Sequence, residues 1–326
     1  PDGSFNDWNT QWYSGTLFDS PVANVKLKKN DRQEKNLTSM LYLDIKPLKN
    51  VLLRSTISYS NYSRTDDQFH PSTVPTRIKA NSGAYAYKRS YEVNNILNEN
   101  TITYKNTFGK QHHVEAMYGF TIQKKKFVSL NASASGYFVD DVETNDLAAL
   151  PSKETATLGS SLENLARMSN LARLNYNYAS KYYLTVTMRA DGASNFSKHN
   201  KWAYFPSAAF RWNVMNEPFM KHFSQLDELA VRVSAGTSGN DAISRYQSLA
   251  RLASTTGGYI FDGTQPVAYY PSRIANEGLT WEKTATYNAG VDLSLFNKRL
   301  AITLDAYKST TSDLLLTVQL PTHVGY

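Results

Sequence analysis

From Leu171 to Val214 the chain reads LARLNYNYASKYYLTVTMRADGASNFSKHNKWAYFPSAAFRWNV, and its polarity alternates residue by residue. Leu174, Tyr176 and Tyr178 share one parity, with Arg173, Asn175 and Asn177 between them. After Ala179-Ser180-Lys181 the pattern resumes, with Leu184, Val186 and Met188 on one side and Thr185, Thr187 and Arg189 on the other. Beyond the polar connection 191–201, a third run sets Trp202, Tyr204, Ala208, Phe210 and Trp212 on one parity. A period of two places alternate side chains on opposite faces of a sheet, so this sheet has one greasy face and one wet face. Such a face is covered either by a second protein layer or by lipid, and this segment alone does not choose between them.

The same alternation recurs along the chain and predicts about ten strands, near 37–45, 51–64, 95–106, 112–127, 170–178, 182–190, 202–214, 228–238, 282–294 and 299–308. Val114, Ala116, Tyr118, Phe120 and Ile122 face one way in the fourth. In the eighth, Leu229, Val231, Val233 and Ala235 oppose Arg232 and Ser234. Connection lengths alternate too. Short links (KPLKN, NTFGKQ, ASK, LFNKR) contrast with long ones at 65–94, 128–169 and 239–281. Two links are exceptions: the one after the sixth strand has only 11 residues, and the one from Met215 to Asp227 is long where a tight turn is expected. Compact water-soluble domains rarely carry three structureless loops of this size, whereas outer-membrane barrels pair tight periplasmic turns with long extracellular loops. A spanning sheet must close, because an open edge would leave backbone groups unpaired in lipid. The length of these loops and the polarity of the second face suit a barrel wider than ten strands.

Composition agrees without deciding. Tyr occurs 22 times and aromatics make up 13%, which suits rings at a membrane–water interface and equally a Tyr-rich carbohydrate binder. Cys is absent, which excludes thiol chemistry and Cys-based metal sites and fits an exported protein. No run approaches the ~18 apolar residues of a spanning helix. The net charge of +7 lacks the basic, aromatic-interleaved pattern of nucleic-acid binding.

The segments RLNYNYASKYYLTVTMRADGASNFSKHNKWAYFPSAAFRWNVMNEPFM, LAVRVSAGTSGN and GLTWEKTATYNAGVDLSLFNKRLAITLDAYKSTTSDLLL carry a resemblance. They are similar to the SusC/RagA family of TonB-dependent outer-membrane transporters of Bacteroidetes, specifically over 170–316 and more weakly over 1–130. Ala193 stands where Ser is usual, and Thr237-Ser238-Gly239-Asn240 departs from the family's plainer T-G-N. The resemblance implies an all-β fold, an antiparallel transmembrane barrel of which this chain supplies about ten of 22 strands. Signal peptide, TonB box and plug are not in evidence in 1–326, which reads throughout as part of the barrel. It also implies TonB-dependent import of an oligosaccharide or oligopeptide with a SusD-like surface lipoprotein, in a Gram-negative outer membrane. Dimers of transporter–lipoprotein pairs are common in the family. The competing reading is a surface glycan-binding β protein without transport; a third is an outer-membrane barrel enzyme.

Individual residues sharpen these expectations. Arg173, Asn175, Arg189, Asp191, Arg211 and Arg232 sit on wet faces, where ion pairing inside the barrel competes with ligand contact. Tyr176, Tyr178, Leu184, Val186, Trp202, Tyr204, Phe210 and Trp212 form the lipid face and its aromatic girdle; sugar stacking would need the rings turned inward. The motif from Asp191 to Phe196 reads chiefly as a structural turn. His112 and His113 fall on opposite faces of a strand and cannot readily chelate one metal. Asp66-Asp67 and Asp140-Asp141 lack regular cation-ligand spacing. Neither G-x-S-x-G, H-E-x-x-H nor a P-loop occurs, so neither an enzyme nor a bound cofactor is expected.

Overall fold

The structure, a computed structural model, describes residues 21–137, 139–149, 156–223, 225–255 and 260–316. Parts of the expected long loops (138, 150–155, 256–259), and residues 1–20 of the more weakly matching stretch, lie outside them. A short helix α1 (Pro21–Leu27) leads into the strands β1 (Lys29–Leu48), β2 (Val51–His70), β3 (Ala84–Phe108), β4 (His112–Tyr137) and β5 (Thr157–Tyr178). There follow β6 (Tyr182–Ala193), β7 (Trp202–Asn213), β8 (Leu226–Asn240), β9 (Arg251–Thr255), β10 (Ala268–Arg273), β11 (Glu282–Leu295) and β12 (Leu300–Ser312). A second short helix, α2 (Pro75–Lys79), lies between β2 and β3.

Ten strands form one sheet in the order β1-β2-β3-β4-β5-β6-β7-β8-β11-β12, every neighbour but β8–β11 being consecutive in sequence. The ten expected strands are these ten. Two features differ from expectation. The first five strands run well past their expected ends, so that 65–70 and 84–94 are strand rather than loop, as are 128–137 and 157–169. The connection 241–281 holds an extra antiparallel hairpin, β9–β10.

Cross-strand register converts the sequence alternation into continuous rows. Tyr176 pairs with Leu184, Leu184 with Phe210, Phe210 with Val233, and Val233 with Ala289. One step along, Tyr178, Tyr182, Trp212, Val231, Val291 and Leu304 make the next row. This apolar face is not covered by protein: Leu184 is 37% exposed, Val186 42%, Phe210 40% and Val231 37%. The opposite parity carries Arg173, Thr187 and Ser207, then Asn175, Thr185 and Ala209.

By chain contacts the structure divides into two compact units. The first comprises Pro1–Ser39, Ser58–Ile96 and Lys125–Asn164. Its core packs Phe69, Ala84, Ala86, Ala134 and Tyr137 with Leu147. There Asp66, almost fully buried, accepts from both Arg32 and Arg64 at 2.8 Å, and Arg77 donates to the carbonyls of Gly83 and Ser82 at 2.7 Å. Glycine is required at 83, where φ is +58° and a Cβ would meet the carbonyl oxygen of Tyr137 at 2.7 Å.

The second unit comprises Met40–Ile57, Leu97–Lys124 and Leu165–Tyr326. Its long "short-side" link has a physical explanation. The β5–β6 turn puts Ala179 and Ser180 at φ of +50° and +56°, a conformation for which Asn-Gly is the favoured sequence. Bonds from elsewhere hold it. Asn177 accepts from the Ser180 N–H at 3.0 Å, while Asn213 and Asn216 donate to the Ser180 carbonyl at 3.2 and 2.6 Å. The β7–β8 link folds back as two short 3₁₀ turns to supply them. Glu217, buried at its centre, accepts from Lys181 Nζ at 2.8 Å, Tyr182 Oη at 2.6 Å and Trp212 Nε1 at 3.2 Å. These donors, Lys181 foremost, hold its carboxyl below the ordinary carboxylate value.

Candidate ligand-facing cleft

The motif Asp191-Gly192-Ala193-Ser194-Asn195-Phe196 ends β6 and seeds the local core. Phe196 is buried against Trp281, with ring centroids 4.9 Å apart, and Phe205 meets the same indole edge-on at 5.7 Å. Ala193 and Ala203 complete this cluster, with Ile243, Leu279 and Leu315 packed on it. The family's usual Ser is therefore replaced by Ala at a dry position, where a hydroxyl would need a partner. Trp281 Nε1 donates to the Lys201 carbonyl at 2.9 Å, Ser197 to Leu279 and Asn195 to the carbonyls of Asp241 and Ile243. The motif thus pins both ends of the connection 241–281 to the sheet. Gly192 and Gly239 are places of close approach: a Cβ would meet the Trp202 ring at 2.9 Å and the Phe205 ring at 2.0 Å respectively.

Beside this core the polar face opens into a cleft of about 650 Å³ lined from β3 to β8 and by the ends of 241–281. Three arginines enter it. Arg167 is clamped on Asp241 through two bonds of 2.7 and 3.0 Å and reaches Gln123 at 3.3 Å. Arg189 Nε bonds the carboxylate of Asp191, two residues along the same face, at 2.7 and 2.8 Å. Among the described residues Arg173 makes one side-chain bond, to the Thr187 hydroxyl opposite it, at 3.3 Å. A second cleft of about 700 Å³ lies nearer the tight turns, lined by Asn175, His113, Lys105 and Glu115 among others. Its Lys105 and Glu115 pair at 2.9 Å.

The remaining candidates separate into groups. Arg211 and Arg232 do not enter the first cleft. They share Asp292 at 2.9 Å, Arg211 also taking Glu228 at 2.7 Å and Arg232 taking Asp305 at 3.2 Å. Tyr176, Tyr178, Leu184, Val186, Trp202, Tyr204, Phe210 and Trp212 all lie on the apolar parity, with Tyr204 61% exposed. His112 stacks there on Tyr176 and lies tilted against Tyr178, while His113 bonds Thr107. Arg167, Asp241 and Trp281 were missed as cleft residues. Arg167 shares the parity of Arg173, so extending the β5 alternation toward the N-terminus reveals it; Asp241 and Trp281 carry no local signal.

Fold and cleft together define a class: an antiparallel transmembrane β-barrel wall, apolar outside and polar on the face that carries the cleft. The comparisons with known proteins agree. The family described as "TonB dependent receptor-like, beta-barrel" matches residues 1–326. The chain belongs to this family of outer-membrane proteins. TonB-dependent receptor P26 of Formosa agariphila is 33% identical over 328 residues, covering 100% of this chain and 32% of the relative. TonB-dependent receptor SusC of Bacteroides thetaiotaomicron is 37% identical over 162 residues, 49% of this chain and 16% of that protein. The RagAB peptide transporter structure superposes with a TM-score of 0.82 at 23% identity, over 93% of this chain and 33% of that one. The resemblance to SusC and RagA expected from the motifs is therefore present, and the chain spans about a third of the length of the Formosa relative.

Proposed function

We propose that this chain forms a wall of a TonB-dependent importer for a nutrient too large for porins, an oligosaccharide or oligopeptide. A SusD-like lipoprotein partners the loop-bearing side, and TonB acts through a plug supplied by sequence outside these residues. The polar face lines the path, with Arg173, Asn175, Arg189 and Asp191 toward solute and Arg211 and Arg232 in a stiffening ion-pair lattice. Outer-membrane hydrocarbon covers the opposite face.

The observation that carries this reading is the uncovered apolar face running unbroken from β5 to β12. About ten residues of β7 separate Trp202 from Trp212. At ~3.3 Å per residue and a tilt of ~40°, the two indoles stand ~25 Å apart along the membrane normal, the height of a barrel's apolar band. A surface glycan binder without transport would bury these residues against a second layer, and their exposure speaks against it. RagAB, whose structure this fold shares, is described as a peptide transporter, and SusC as a TonB-dependent receptor.

The test is paired substitution in the complete subunit. Val233→Arg on the apolar face is expected to cost ~2–4 kcal/mol and to abolish the heat-modifiable gel shift of a folded barrel; Ser234→Arg, on the other parity, is expected to retain it. Equal tolerance of both would overturn the assignment of faces and with it the import reading.

A further inference from the structure

We infer that the cleft across β5 and β6 recognises an anionic group, a carboxylate or a sulfate, on the solute, and that Arg173 is the contacting cation. This rests on the import reading and adds to it a substrate chemistry. The cleft is lined by three guanidiniums and two carboxylates, leaving one positive charge in excess. Two of those guanidiniums are committed. Arg167 is held bidentately by Asp241, the geometry in which a guanidinium is least available, and the charge of Arg189 is matched by Asp191 through its Nε. Arg173 has no carboxylate within ion-pair distance among the described residues; its single bond is to a neutral hydroxyl, and the side chain is exposed to the cleft. Its planar fork is therefore free to take two oxygens of one acid group.

The surroundings favour that use. Six hydroxyls line the cleft, Ser169, Thr187, Ser207 and Thr237 among them, and these donate to or accept from a polar oligomer without adding charge. Low-dielectric walls focus the field of an uncompensated cation. A cleft built for a neutral solute would be complete with the hydroxyls and the two closed ion pairs. The additional guanidinium, directly opposite Thr187 in register, is the element that an acidic ligand engages.

The experiment takes the complete subunit with its partner in detergent. It is offered size-matched pairs of probes: trigalacturonate against maltotriose, sulfated against unsulfated galactan trimer, and a glutamate-containing tripeptide against its glutamine counterpart. Binding is read by calorimetry at two salt concentrations. At least one acidic probe is expected to outbind its neutral counterpart with an affinity that falls with salt. Arg173→Gln is expected to weaken that probe about tenfold without changing the neutral one, and Arg173→Lys to recover part of the loss. Whichever arm responds identifies the source of the acid group. The inference is overturned if no acidic probe outbinds its partner, or if Arg173→Gln leaves the preference intact. Barrel insertion and uptake of a neutral probe by the same variant would then leave the import reading standing, whereas loss of the gel shift would fault that reading instead.

Discussion

Trp281 is the single side chain on which the connection 241–281 most depends, and truncating it should open that connection while sparing the barrel. Its indole is 5% exposed, packs on Phe196 and Phe205, and donates to the Lys201 carbonyl. Trp281→Ala removes the largest of the cluster's three rings, a change that costs ~3–5 kcal/mol in a well-packed core. The Lys201 carbonyl is not orphaned, because the Ala193 N–H also reaches it at 3.1 Å, so the loss is one of packing. The β6–β7–β8–β11 ladder does not pass through the cluster's side chains and keeps its backbone bonds. If the full penalty falls on local opening, amide exchange in 241–281 should accelerate by roughly a hundred- to several-thousand-fold, with β6–β8 amides unchanged. Trp281→Phe, which keeps most of the ring and loses the Nε1 bond, should cost only ~1 kcal/mol. The measurement is hydrogen–deuterium exchange of the detergent-folded subunit. Unchanged protection of 241–281, or an equal loss across the strands, would refute the assignment of this cluster as a local anchor.

Two further outcomes follow from the same geometry. Gly239→Ala places a methyl 2.0 Å from the Phe205 ring, which is itself buried, and should destabilise that packing by ~1–3 kcal/mol, read as a lowered thermal midpoint of the cluster in near-ultraviolet circular dichroism. At the tight turns, the Glu217 carboxyl lies below its ordinary value of 4.5 because Lys181 and Tyr182 donate to it. Its stabilising contribution is therefore full above that value and lost as pH falls through the folded-state value. Protection of the Ser180 and Asn213 amides, taken relative to the intrinsic exchange rate at each pH, should fall on acidification below pH 4.5 in the wild type, and in Glu217→Gln should be lowered at neutral pH and flat with acid; an acid response identical in both would discount Glu217.

What the sequence revealed tracked where one face meets a nonpolar medium. Ten strands were readable because Leu184, Phe210 and Val231 recur at period two, a local signal. The extensions of β4 and β5 alternate as well, Val128, Leu130, Ala132 and Ala134 against Ser129, Asn131, Ser133 and Ser135, but their small and polar residues give a fainter contrast; Ser129 and Ser161 bond each other across the strands at 2.8 Å. β9–β10 was hidden for a different reason. Pro271 reads as a strand breaker, and the structure accommodates it beside a register shift between Pro271 and Arg273. In the cleft, Arg173, Arg189 and Asp191 were visible from parity. The partner that immobilises Arg167 comes from 74 positions away and has no local signature. Likewise the long β7–β8 link remained an anomaly until Glu217 and Asn216 were seen to brace the Ala179-Ser180 turn.

β8 passes its hydrogen-bond ladder straight to β11, with Asn240 facing Glu282 in register. Everything between those two residues is, to the sheet, a detour. Its hairpin can be lengthened, shortened or exchanged for another without moving a strand, provided the clasps at Asp241 and Trp281 survive. Selection can then recast this connection while the wall beneath is inherited unaltered. Grafting a foreign insert at that seam is the corresponding route for redesign.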